Sequence, residues 1–149
     1  MKEATHYLEA IRYIDNAKSI LKTIEGSKKS LLYTDEKYVK QAAHTAYTGV
    51  LYALDKFFDL KAQKGKHLSE NDYTNALSKV NSKMNKHFAE IYRNLHIAGG
   101  YEGTLLKKTI IGGIEAAEFL IDWTKVKTNK PLNGIEGFKK KITTKKSKN

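Results

Sequence analysis

The chain has no cysteine, a single proline, only two arginines among 27 basic residues, and no apolar run approaching the ~20 residues that span a bilayer. Without cysteine no disulfide braces the fold, so packing alone supplies stability, as suits a reducing compartment. The one proline, Pro131, lies late, so nothing in the first 130 residues fixes φ or removes a backbone donor. Nothing in the body alternates with period two over a useful length, which argues against a sheet. Metal and cofactor signatures are missing as well. The five histidines (His6, His44, His67, His87, His96) include no pair at four-residue spacing, and there is no phosphate-cradling Gly-rich loop and no nucleophile elbow. The expectation is therefore a protein with no metal site and no cofactor. Met1-Lys2-Glu3 opens directly onto a polar, helix-like segment rather than the apolar core of a signal peptide, so a soluble cytoplasmic protein without a membrane partner is expected.

At 149 residues this is one domain's worth of chain, able to bury roughly 70% of its unfolded surface. The net charge of +11 resembles a nucleic-acid signature until it is apportioned. From Lys125 onward nine lysines face one acid, Glu136, a surplus of eight; residues 1–124 hold 18 basic and 15 acidic groups, a surplus of three. A near-neutral body, 1–124, thus carries a basic tail, 125–149, in which Phe138-Lys139-Lys140-Lys141 and Lys145-Lys146 are candidates for non-specific, salt-sensitive contact with nucleic acid.

Four segments of the body follow the 3.6-residue helical period. The first aligns Tyr7, Ile11, Ile14, Ala17 and Leu21 and stops at Gly26; the second begins after Thr34 or Asp35 and aligns Val39, Ala43, Ala46, Val50, Leu54 and Phe57. A turn around Gly65 leads to the third, where Ser69 and Asp72 form a capping box and Leu68 and Tyr73 a hydrophobic staple. Its seam runs Tyr73, Leu77, Val80, Met84, Phe88, Ile91, Leu95, and Gly99-Gly100 marks its end. The fourth, from about Thr104 to Thr124, aligns Leu106, Ile110, Ile114, Ala117 and Ile121. The spacing predicts an all-α, up-down-up-down four-helix bundle.

Two helices are apolar over more surface than one core needs. Tyr47, Leu51 and Phe58 widen the second, while Gly112, Ala116, Phe119 and Trp123, with Leu105, form an additional face on the fourth. Three readings stand: an irregular core that takes them in, a homodimer seam, or a dock for the tail, whose Leu132, Ile135, Phe138 and Ile142 fall on one helical stripe.

Tyr92-Arg93-Asn94-Leu95-His96 carries the chemistry that the rest of the chain lacks. An imidazole three residues from a guanidinium suits metal-free RNA cleavage, the first moving the 2′-hydroxyl proton and the second stabilising charge on phosphorus. The plain alternative is two solvated residues near a helix C-terminus, where positive charge is favourable. Arg93, Asn94, His96 and Tyr101 are the candidate phosphate- or nucleic-acid-contacting residues. His44 reads as a helix-flank histidine. With Arg93-Asn94 near the end of the third helix, and Ala43-His44-Thr45-Ala46-Tyr47 at the centre of the second, residues 4–124 resemble the HEPN superfamily of small prokaryotic α-helical domains, specifically its short uncharacterised members. The resemblance implies a fold and a dimer habit, and some members accompany a small nucleotidyltransferase. HEPN ribonucleases place four to six residues between arginine and histidine; here that window is Ala98, Gly99 and Gly100, none of which does acid–base work, and His96 comes early. Members without the intact motif act as binding, scaffold or antitoxin-like modules. A dimeric module is the expectation, with a ribonuclease using Arg93 and His96, and a tail-mediated nucleic-acid binder, as the alternatives.

Overall fold

Five α-helices and one π-helical segment make up the computed structural model, which describes residues 2–59 and 68–128; among these no strand forms. The helices are α1 (Lys2–Thr23), α2 (Glu36–Phe58), α3 (Glu70–Ser78), α4 (Ser82–Ile91) and α5 (Lys107–Thr128), and π1 (Tyr92–Tyr101) continues α4. The only extended pairing among the described residues is one antiparallel bridge, Leu32 to Leu106. No helix of the described residues is long and apolar enough to cross a membrane. The turn around Gly65 and the greater part of the basic tail, with Leu132, Ile135, Phe138 and Ile142, lie outside the described residues.

Local chemistry sets most boundaries where expected. Asp35, extended, accepts a hydrogen bond from the Tyr38 amide at 3.2 Å and starts α2. At α3 the capping box is complete: the Asp72 amide donates to Ser69 Oγ at 3.3 Å, and the Ser69 amide to Asp72 Oδ2 at 2.7 Å. Gly26, with φ +64°, turns the chain after α1.

The third arm departs from expectation twice. Rather than one helix it is α3, a break at Lys79–Asn81, and α4. Asn81 causes the break: its extended backbone and its Oδ1, which accepts from the amides of Lys83 at 3.0 Å and Met84 at 3.1 Å, start a new helix. Nor do Gly99-Gly100 end the arm. Both lie inside π1, which runs on to Tyr101. The expected seam survives the break except at Val80, which lies in it and is half-buried; Tyr73, Leu77, Met84, Phe88, Ile91 and Leu95 are all buried.

Arms adjacent in sequence run antiparallel. Tyr13 meets Tyr52 while the Thr34 amide bonds the Ile24 carbonyl, which pairs α1 with α2. Tyr47 meets Tyr92 and Ala43 meets Gly99, which pairs α2 with π1. His87 meets Phe119 and Leu95 meets Gly113, which pairs α4–π1 with α5. Tyr7 donates to Asp122 at 2.8 Å, Lys18 pairs with Glu118, and Lys107 Nζ donates to the Ser27 carbonyl at 3.1 Å, closing α5 back onto α1. Between the arms lies one core containing Ile14, Val50, Leu54, Phe88, Leu95 and Ile121, where each large side chain contributes about 1.5–3 kcal/mol. Leu106, expected in the α5 seam, is 49% exposed instead, because it precedes the helix and belongs to the bridge with Leu32.

Candidate functional site

π1 is built by glycine at a crossing. A Cβ on Gly99 would lie 2.6 Å from Ala43 Cβ and 2.8 Å from Ile110 Cδ1, so only a bare backbone fits between α2 and α5 here. Where the segment ends, the Glu102 amide bonds the Ile97 carbonyl at 2.9 Å, a five-residue span, and Gly103 (φ +70°) releases the chain. Such i→i+5 geometry is rare, usually a single turn, and concentrates at functional positions. All of the candidate residues Arg93, Asn94, His96 and Tyr101 fall on it.

The segment sends them in different directions. His96 turns toward α2, where its ring packs 4.8 Å from that of Tyr47 and stacks 5.0 Å from that of Tyr92. Arg93 is exposed and forms no ion pair among the described residues, although Glu90 lies three residues earlier. Asn94 faces α5 and lines a groove of about 460 Å3 with Glu90, Lys108, Thr109, Ile111, Gly112 and Glu115. Its Nδ2 and Glu90 Oε2 lie 3.9 and 4.0 Å from where a Cβ on Gly112 would sit, so both lean over a floor without a side chain. Tyr101, 78% exposed, closes the segment at the solvent. His44 is exposed on α2.

The His96 stack is the outer end of an aromatic chain running inward from Tyr47 to Phe88 and Tyr73. The Tyr73 hydroxyl bonds the carboxylate of Asp55, whose Oδ1 is buried without a hydrogen-bond partner. Burial, first of all, raises the Asp55 carboxyl above its ordinary value, while the Tyr73 bond and Lys56 pull it down. Burial likewise holds the phenols of Tyr47 and Tyr73 well above theirs. Sequence reasoning missed Asp55; its signal was a carboxylate, with only Lys56 beside it, set between the apolar pairs Ala53-Leu54 and Phe57-Phe58. Among the described residues no group of three His, Cys, Asp or Glu side chains is arranged to hold a metal ion.

The two additional apolar faces are used differently. Tyr47 and Phe58 are buried in the chain's own core, as is Ala116, and Leu51 is half-buried against it. Trp123 packs 4.9 Å from Phe57, its Nε1 buried without a partner. Gly112 is half-buried, whereas Phe119 stays 48% exposed, flanked by the His87 ring at 4.8 Å and the Lys83 ammonium at 5.9 Å. With Ile111, 46% exposed, Phe119 marks an outward surface along α4–π1 and α5.

No curated protein matches the chain. Among solved structures it is similar to a protein of unknown function from Dyadobacter fermentans, at 35% identity and a TM-score of 0.75, over 86% of this chain and 99% of that one. Residues 5–126 match the family model described as a domain of unknown function, DUF5618, and the chain belongs to that family.

Proposed function

We propose that the protein is a non-enzymatic helical module of the HEPN-like kind, a four-helix bundle with an interrupted third arm, working as a homodimer through the outward surface of α4–π1 and α5. The observation that carries the reading is the division of labour along π1. His96 is engaged with two tyrosine rings, Tyr47 of α2 and Tyr92 of π1, while Arg93 stands in solvent, which favours contact by Arg93 over joint acid–base chemistry with His96. The antiparallel order of the arms and Arg93-Asn94 near the end of the third support the HEPN-like comparison. Half-exposed Ile111 in the glycine-floored groove and half-exposed Phe119 further along α5 support association, because apolar surface of this kind gains by burial against a partner.

Sedimentation equilibrium tests the proposal. The wild-type chain is expected at twice its 16.9 kDa mass, and Phe119→Lys at the monomer mass with its helicity retained. A wild-type chain that stays monomeric at high micromolar concentration, or a Phe119→Lys variant that remains dimeric, would contradict it.

A further inference from the structure

We infer that Arg93 of one subunit seats in the groove between Glu90 and Glu115 of a second copy, so that each groove is completed by the other chain's guanidinium. The inference rests on the dimer reading above and names the contact that would make that dimer specific.

Three observations converge on it. First, Arg93 is exposed and unpaired among the described residues, even though an acid lies three residues before it, at a spacing that commonly pairs on a helix. Glu90 does not turn back to it; its Oε2 reaches over Gly112 toward α5 instead. Second, the groove holds two carboxylates, Glu90 and Glu115, against one ammonium, Lys108, leaving one negative charge that a guanidinium neutralises. Neither glutamate has an ion-pair partner among the described residues. The floor at Gly112 is open, with nothing nearer than 3.9 Å to an added Cβ, and this leaves space for a planar group. Arginine's fork of donors suits paired carboxylate oxygens and the Asn94 amide oxygen better than lysine's point charge does.

Third, the geometry repeats by symmetry. Arg93 follows Glu90 by three residues and immediately precedes Asn94, both of which line the groove, and it is exposed. In an isologous pair whose two-fold axis passes beside the groove, Arg93 of each subunit meets the groove of the other, and the same contact is made twice. Ile111 and Phe119 on either side of Gly112 and Glu115 then supply apolar area that screens the pair from water.

The test is the dimer dissociation constant, read by sedimentation equilibrium, for the wild type, Arg93→Glu, the charge-swapped Arg93→Glu/Glu115→Arg, and Arg12→Glu. The last makes the same charge change on α1, where Arg12 pairs with Glu9. Arg93→Glu is expected to weaken association about 100-fold, since a charge pair shielded at an interface is strongly coupled. The swap restores it to within about tenfold of wild type, and Arg12→Glu leaves it unchanged. Arg93 is exposed, so at a concentration where association is negligible its variants keep the unfolding midpoint of the wild type. A monomeric wild type takes down the dimer reading and this inference together. A dimer indifferent to Arg93→Glu, equally weakened by Arg12→Glu, or not rescued by the swap overturns the Arg93 contact and leaves the dimer standing.

Discussion

Replacing Gly99 by alanine perturbs the point where π1 passes between α2 and α5. The new methyl would fall 2.6 Å from Ala43 Cβ, well inside contact distance. Ala43 is itself fully buried and its Cβ is fixed to the backbone of α2, so no rotamer change relieves the overlap; Ile110 Cδ1, at 2.8 Å, is the end of a flexible chain and yields more easily. Forcing a methylene-sized group into a packed core costs about 1–3 kcal/mol. Against it stands the helical preference of alanine over glycine, roughly 0.5–1 kcal/mol. The net expectation is a loss of about 1–2 kcal/mol, a fall in Tm of about 2–8 °C for a domain of this size. Gly112→Ala provides the comparison: its nearest neighbours stand at 3.9 and 4.0 Å, so the propensity gain is unopposed and stability rises by up to about 1 kcal/mol. Urea unfolding followed by helical circular dichroism, at a concentration where association is negligible, reads both. If Gly99→Ala proves as stable as Gly112→Ala, the close approach of π1 to α2 is wrong.

Three further outcomes follow from other parts of the fold. Asn81→Ala removes the acceptor for the Lys83 and Met84 amides and should cost about 1 kcal/mol in the same assay, with no loss if α3 and α4 were one helix. Asp55 has its folded pKa raised by burial, so the stability it contributes is complete below the ordinary value of 3.8 and is lost as pH rises through the folded value. Asp55→Asn, which keeps an acceptor for Tyr73, should therefore raise the urea midpoint at neutral pH and lose that advantage in acid; equal stability at both would contradict the buried carboxylate. Burial and the bond to Asp122 push Tyr7 up to about 12, and burial raises Tyr33, Tyr47 and Tyr73 as well. Phenols raised in the folded state stabilise it below pH 10 and cease to do so as pH climbs past their folded values, so unfolding should steepen above pH 10, with tyrosinate absorbance and helicity changing together. Tyrosinate appearing well before helicity is lost would argue that these rings are exposed.

The parts of the fold legible in the sequence are those set by neighbours along the chain. The Ser69–Asp72 box and the core face of α2 need only local spacing and stand as read; of the two starts read for α2, Thr34 or Asp35, the cap is Asp35, and on α1 Ile14, Ala17 and Leu21 are buried while Tyr7 and Ile11 are half-buried. Asn81 was hidden because the apolar seam keeps its period from Tyr73 across to Met84, and periodicity does not register a cap that interrupts the backbone without moving the seam. Gly99-Gly100 misled for the opposite reason. Glycine is the usual stop signal for a helix, but here it is required by atoms some fifty residues away at Ala43, which no local rule contains. The same distance effect divided the candidate site. Arg93 and His96 look like helical neighbours by spacing, yet Tyr47 on α2 draws the imidazole aside. Tyr47 and Phe58, surplus to a single seam along α2, are both buried in the chain's own core.

A single incubation bears most directly on whether this is a binding module or an enzyme. Purified wild-type protein and the Arg93→Ala/His96→Ala variant are held with a mixed RNA pool in EDTA, and the products are resolved on a denaturing gel. The account predicts that both lanes match RNA held without protein. Cleavage by the wild type that disappears in the variant would contradict it, because the guanidinium and the imidazole would then be acting on one phosphate although one stands in solvent and the other packs against Tyr47 of α2.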